Sequence, residues 1–239
     1  MSSHAASGAE NSDSGAEHSG NAGSAHPGPR AAGPSAGTAS PRLVLATHNE
    51  HKVRELREIL AVDGLAPQQI VGAGDVGSTE PVEDGITFTE NALIKARAVA
   101  AHSGLPAIAD DSGLAVDVLG GAPGIFSARW SGRHGADQEN LDLLLAQLAE
   151  VPQQHRAAGF VCAAALVTPE GFEHVEIGEL RGTLLAAERG TGGFGYDPIL
   201  QPAGEQRSCA ELTPEEKNAI SHRGKAFRAL APYVRQILE

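Results

Sequence analysis

Residues 42–60 read Arg42-Leu-Val-Leu-Ala-Thr-His-Asn-Glu-His-Lys-Val-Arg-Glu-Leu-Arg-Glu-Ile-Leu60, a short apolar run followed at once by a segment of helical period. Arg42 to Thr47 has the character of a buried strand. From His51 to Leu60, Val53, Leu56, Ile59 and Leu60 share one helical face, with Lys52, Arg54, Glu55 and Glu58 elsewhere. The same alternation continues outward. Gln69 to Val71 fits a second strand, and Thr87-Phe-Thr-Glu90 is a capping-box pattern opening a helix to about His102. Pro106 to Ala109 and Leu114 to Leu119 are expected as strands on either side of an Asp-Asp-Ser-Gly turn. Asp137 to Glu150 forms an amphipathic helix with Leu141, Leu144, Leu145 and Leu148 in register. Ala158 to Val167 is a nearly continuous apolar strand, and Glu173 to Leu185 alternates as a further strand or hairpin. Thr213-Pro-Glu-Glu216 combines an N-cap, a proline at the first helical position and a glutamate three residues on. Ser221 starts a last helix whose Phe227, Leu230, Val234 and Ile237 face a core, and Pro232 should kink or interrupt it. Strands alternating with helices over roughly 200 residues predict an α/β fold, a mixed sheet with flanking helices.

Composition divides the 239-residue chain in two. Residues 1–41 are almost all Ser, Ala, Gly, Pro, His and Asn, with no Leu, Ile, Val or aromatic side chain. Such a segment has nothing to bury that offsets its ordering entropy, so it is expected to be a disordered tail. It has no apolar stretch of the kind a secretory signal needs. Residues 42–239 are expected to form one ordered domain. Lys+Arg of 18 against Asp+Glu of 30, a formal net charge of −12, argues against a nucleic-acid polymer or an anionic membrane as partner. No apolar run reaches the roughly 20 residues of a membrane span. Cys162 and Cys209 suit neither a disulfide framework nor a metal knuckle, which points to an intracellular, cytoplasmic protein with reduced thiols.

GxGxxG occurs twice, and neither copy is a dinucleotide fingerprint. Gly72-Ala-Gly-Asp-Val-Gly77 runs into Ser78-Thr-Glu-Pro-Val-Glu-Asp-Gly85, which cannot open the helix that would hold a pyrophosphate. Gly190-Thr-Gly-Gly-Phe-Gly195 runs into Tyr196-Asp-Pro198, again without a helix. GxxxxGK[ST] is absent, which excludes a P-loop. The second glycine loop still has a backbone able to approach a ligand closely. Its Phe194 and Tyr196 either meet a flat ring or plug back into the core.

Four polar clusters remain. Thr47-His-Asn-Glu-His-Lys52 lies between the first strand and first helix, where open α/β sheets bind ligands. Thr47, Asn49 and backbone amides there suit phosphate oxygens with Lys52 as cation, or Asn49 simply caps the helix. Asp110-Asp111-Ser112-Gly113 ends an apolar run. Two adjacent carboxylates cost desolvation energy there unless a cation compensates, and Mg²⁺ is the natural hard ion, an Asx-type turn being the alternative. Glu80, Glu83 and Asp84 offer a further ligand, or favour the start of the following helix. Lys217, His222, Arg223 and Lys225 make a local basic cluster at the junction of two predicted helices, or complement a helix C-terminus.

Taken in order, several separated motifs resemble the inosine/xanthosine triphosphate pyrophosphatase family. They are Leu45-Ala-Thr-His-Asn-Glu-His-Lys52, Phe88-Thr-Glu-Asn-Ala92, Ala109-Asp-Asp-Ser-Gly-Leu-Ala-Val-Asp117, Gly121-Ala-Pro-Gly-Ile-Phe-Ser-Ala-Arg129, Gly190-Thr-Gly-Gly-Phe-Gly-Tyr-Asp-Pro198 and Ser221-His-Arg-Gly224. His48 is a departure, because bacterial members often carry glycine at that place.

The resemblance implies hydrolysis of non-standard purine nucleoside triphosphates (ITP, dITP, XTP) between the α and β phosphates, giving monophosphate and pyrophosphate. It implies a fold of two lobes around a nucleotide cleft, usually as a homodimer. By the same resemblance, Thr47, His48, Asn49, Glu50, His51 and Lys52 would hold the triphosphate. Asp111 would activate water and, with Glu83, bind Mg²⁺, with Asp110 assisting. Ser112 would contact the nucleotide. Phe194 would stack on the purine, and the backbone of Phe194, Gly195, Tyr196 and Asp197 would fix its edge. Lys217, His222 and Arg223 would complete the site, Arg223 or a backbone amide donating to the C6 oxygen. Arg223→Ala is expected on this basis to harm ITP use more than stability. A pyrophosphatase for modified pyrimidine nucleotides and a non-hydrolytic nucleotide-binding module are the competing readings.

Overall fold

Pairing along one long central strand organises the molecule. The computed structural model describes residues 42–47, 53–54, 56–57 and 69–239. The expected tail, the residues His48 to Lys52 and most of the expected first helix lie outside the described residues, although Val53, Arg54, Leu56 and Arg57 are helical. The sheet has six strands: β1 (Leu43–Leu45), β2 (Ile70–Gly72), β3 (Ala107–Val116), β4 (Ala157–Val167), β5 (Glu173–Leu184) and β6 (Leu200–Pro202). Their order is β2-β1-β3-β4-β5-β6. β1 pairs parallel with β2 and β3, whereas β3 to β6 run antiparallel. The sheet is therefore mixed, as the sequence predicts.

The helices among the described residues are α1 (Phe88–Ser103), α2 (Asp137–Gln147), α3 (Pro214–Ile220) and α4 (His222–Leu238). α1 starts where the capping pattern puts it, with Thr87 Oγ1 accepting from Glu90 N–H. It ends at Gly104, whose φ of 66° is the left-handed cap that favours glycine. Ser221 caps α4 through Gly224 N–H. Pro232 lies inside α4 without dividing it. The ring faces solvent, and α4 is held on both sides of it by the core residues Phe227, Leu230, Ala231 and Val234.

The pleat of β3 and β4 separates two apolar layers, because successive side chains point to opposite faces. Ala107, Ala109, Ala163, Ala165 and Val167 pack with Ala92, Ala96 and Val99 of α1. Ile108, Cys162, Ala164 and Leu166 pack on the other face with Phe227, Leu230 and Val234 of α4. A third cluster gathers Leu114, Val116, Phe160, Leu180 and Leu184 with Leu141 and Leu144 of α2.

One expectation is corrected here. Asp110 to Gly113 is not a turn but the middle of β3, paired residue for residue with β4 from Ala107↔Val167 to Val116↔Ala158. The strand then ends at Val116, and Asp117–Leu119 is a short 3₁₀ turn instead of more strand. Local turn preference loses to ten consecutive cross-strand pairs.

Candidate active site

β1 pairs with β3 only at Val44↔Ala107 and Leu45↔Ile108, and its last bond is Ala46 N–H to Ile108 O. Further along, Gly124–Arg129 forms a 3₁₀ segment whose Ser127 Oγ accepts from Leu114 N–H at 2.8 Å. Between these two points, Asp110 to Gly113 has no strand neighbour on that side among the described residues. This is a cleft at the carboxyl end of a parallel strand, where open α/β sheets bind ligands. Gly113 is required there, because a Cβ would lie 2.5 Å from both Gly124 O and Ser127 Oγ. The cleft encloses about 1280 Å³, lined among others by Thr47, Glu83, Lys95, Asp111, Phe194 and Arg223.

Alternation along β3 sends its acidic pair in opposite directions. Asp111 points to the α1 side. There its Oδ2 accepts from Asn91 Nδ2 at 3.1 Å, and its Oδ1 lies 3.6 Å from Lys95 Nζ. Lys95 also meets Glu83 Oε1 at 3.2 Å. Two carboxylates thus converge on one ammonium. Burial opposes the charge of Lys95, but Asp111, Asp110 and Glu83 together hold its pKa above the ordinary lysine value. Burial raises the pKa of Asp111, with Lys95 and Asn91 opposing and Glu83 and Asp110 adding to the rise.

Asp110 and Ser112 point to the α4 side. Asp110 Oδ2 accepts from Arg223 Nε at 3.1 Å and from Ser112 Oγ at 3.1 Å. Arg223 Nη2 donates to that same hydroxyl at 3.2 Å. Arg223 is only 7% exposed, so it belongs to a buried ion pair as well as to the cleft wall. His222 stacks on Phe160 with ring centroids 5.0 Å apart.

The glycine loop contributes the remaining wall. Phe194 is 64% exposed, whereas Tyr196 is 5% exposed and donates to Ser127 O at 2.9 Å. One aromatic presents its ring to the cleft and the other plugs the core, so each alternative holds for one residue. Burial pushes the Tyr196 phenol up, helped by Asp137. Asp197 is buried, and its Oδ2 accepts from Phe194 N–H at 2.9 Å and from Lys217 Nζ. Lys217 also lies over the Phe194 ring, 5.1 Å from its centroid.

Most of the expected residues are therefore brought together. Thr47, Glu83, Asp111, Ser112, Phe194, Gly195, Tyr196, Asp197, Lys217, His222 and Arg223 all line one cleft. His48, Asn49, Glu50, His51 and Lys52 lie outside the described residues. Lys225 does not join the cluster, since its Nζ donates to Glu179 O. Asn91 and Lys95 went unassigned in the sequence. Their signal is a pair of polar residues four apart within an otherwise alanine- and valine-rich helix face.

The donor set fits a small hard cation. Asp111 and Glu83 already share the Lys95 ammonium, and carboxylate oxygens are what Mg²⁺ prefers. Among the described residues no group of three or more His, Cys, Asp or Glu converges.

The Ham1 family model matches residues 43–233. A dITP/XTP pyrophosphatase of Streptomyces coelicolor is 66% identical over 198 residues, 82% of this chain and 98% of the relative. One of Corynebacterium efficiens is 54% identical, with the same coverage. Among solved structures, a HAM1 protein from Coxiella burnetii superposes with a TM-score of 0.75 at 38% identity, over 82% of this chain and 99% of that one. A nucleoside-triphosphatase, dITP/XTP pyrophosphatase, from Mycobacterium abscessus gives 0.68 at 51% identity, over 81% and 98%. This chain belongs to the Ham1 family, as its ordered motifs suggest.

Proposed function

We propose that this protein is a nucleoside triphosphate pyrophosphohydrolase that removes ITP, dITP and XTP from the nucleotide pool, releasing monophosphate and pyrophosphate. The single observation that carries the mechanism is Asp111, a carboxylate of raised pKa held by Asn91 on an unpaired strand edge inside the cleft. A carboxylate held in that place is positioned to accept a proton from an attacking water. Asp111 and Glu83 are the residues that would hold Mg²⁺, which when bound neutralises charge at the reacting phosphate. Thr47 and the adjoining residues to Lys52 would receive the triphosphate, with Ser112 beside the nucleotide.

Phe194 is the stacking face for the purine, and Asp197 fixes the loop that carries it. Of the four amides from Phe194 to Asp197, those of Phe194, Gly195 and Asp197 already donate within the protein. The Tyr196 amide is the one of the four without a partner among the described residues, and we assign it to the C6 oxygen of hypoxanthine or xanthine. Adenine presents an amino donor at that place and would leave two donors facing each other, which is costly. Arg223, engaged with Asp110 and Ser112, would support this edge from below.

Residues 42–239 constitute the catalytic domain in this proposal. A homodimer, carried by the family resemblance, and a cytoplasmic location, carried by the cysteine content, complete it. No helix among the described residues is long and apolar enough to cross a membrane. Product analysis tests the chemistry. ITP with Mg²⁺ should give IMP and pyrophosphate in equal amounts, and IDP with orthophosphate would place the cut at the wrong bridge. Omitting the metal should abolish turnover, and undiminished activity in excess chelator would remove Mg²⁺ from the account.

A further inference from the structure

Phe194 can stack on a base only if its loop is held still, and that loop is rich in glycine. Gly190, Gly193 and Gly195 all have positive φ, at 79°, 73° and 57°, conformations that glycine reaches at an entropic cost. The loop is so tight that a Cβ at Gly193 would lie 2.0 Å from Asp197 Oδ2. Asp197 ties it from within, accepting from Phe194 N–H and donating its own N–H to Phe194 O, and Gly192 N–H donates to Ala210 O. Two further ties come from a different element, the first turn of α2. Asp137 Oδ2 accepts from Gly195 N–H at 3.2 Å, and Gln138 Nε2 donates to Glu188 Oε1 at 2.9 Å. Adjacent residues of one helix thus grip the loop on both sides of Phe194.

We infer that Asp137 is a positioning residue for nucleotide recognition: by holding the Gly195 amide it aims the Phe194 ring at the base. This deepens the proposed function and rests on it. Asp137 has no comparable duty to its own helix. Helix α2 has Ala136 at its N-cap and no side-chain cap, so an acid at its first position gives only a modest, screened dipole contribution. The carboxylate is exposed yet lines the cleft, and it spends a charge-assisted acceptor on a backbone amide next to the stacking ring.

The test uses the full chain with three readouts. For Asp137→Ala, KM for ITP should rise about tenfold with little change in kcat, as expected from loss of a hydrogen bond to a charged group. Inhibition by inorganic tripolyphosphate, which has no base to stack, should be unchanged. Asp137→Asn retains an acceptor for the Gly195 amide and should behave nearly as the parent protein. Amide hydrogen exchange of residues 188–195 in the nucleotide-free protein should accelerate in the alanine variant but not in the asparagine variant. An unchanged KM in Asp137→Ala would overturn the inference. So would tripolyphosphate inhibition weakening in step with KM, or an asparagine variant as impaired as the alanine one. Absence of ITP turnover in the parent protein would instead defeat the proposed function, and the exchange measurement would still decide the tether.

Discussion

At Arg223, expectation and structure diverge most usefully. A guanidinium in a basic cluster reads as a ligand contact, and its removal as a loss of binding. In the fold it is buried against Asp110, so Arg223→Ala removes the cationic partner of a buried carboxylate. Breaking such a pair costs roughly 3–5 kcal/mol, which in a domain of this size lowers the melting temperature by roughly 6–20 °C. Calorimetry should show that loss before kinetics is considered, and an unchanged melting temperature would mean that Asp110 finds another partner. Asp111 is the opposite case. Its side chain reaches the cleft edge, so Asp111→Asn should keep the fold while turnover of ITP falls by about 10²–10⁴-fold. Steady-state rates alongside circular dichroism check both halves. Asp111 and Phe194 stand out in the sequence as candidates because they lie in motifs that resemble those of a family. Asn91 and Lys95 stand out less, because their meaning arises only when the pleat of β3 turns Asp111 toward α1.

Element boundaries were legible where the chain carries its own punctuation. Thr87, Thr213 and Ser221 all cap the helices they announce. Asp110 to Gly113 misleads because its composition favours a turn, while its pairing with β4 is decided by residues 50 positions away. The contact between β5 and α4 was equally hidden. Gly178 sits where a Cβ would come within 2.0 Å of His222 O and 2.6 Å of Ala226 N. The missing side chain lets α4 lie directly on the strand and places His222 and Arg223 at the cleft. Gly178→Ala should therefore destabilise the protein by roughly 3 kcal/mol through overpacking. It should also weaken ITP turnover by displacing the start of α4. Chemical denaturation and kinetics on the one variant check both, and a neutral effect would show that α4 can shift without loss.

Across the molecule, the acidic balance and the site belong together. A protein of formal net charge −12 that takes a polyanion must place cations at its site, and Lys95, Lys217 and Arg223 line one cleft, each paired there with a carboxylate. The cleft itself lies where apolar packing is interrupted. Ile108 and Ala109 of β3 belong to the layers under α4 and α1, and Leu114 and Val116 belong to the cluster under α2. The polar residues between them face the opening. Lys217, His222 and Arg223 are legible in the sequence as a basic cluster, but Lys95 and the junction of three packed clusters are not. Residues 1–41 lie outside every motif that carries the family resemblance, so deleting residues 1–40 should leave turnover of ITP intact. A large loss in that truncation would give the N-terminal segment a part in the site. The central claim is discrimination between purines at the cleft, and the most direct measurement is pyrophosphate release with Mg²⁺ from ITP, dITP, XTP, ATP, GTP and modified pyrimidine triphosphates in parallel. The account predicts kcat/KM for ITP, dITP and XTP at least about a hundredfold above ATP. Equal turnover of ATP and ITP, or preference for a pyrimidine triphosphate, would contradict it.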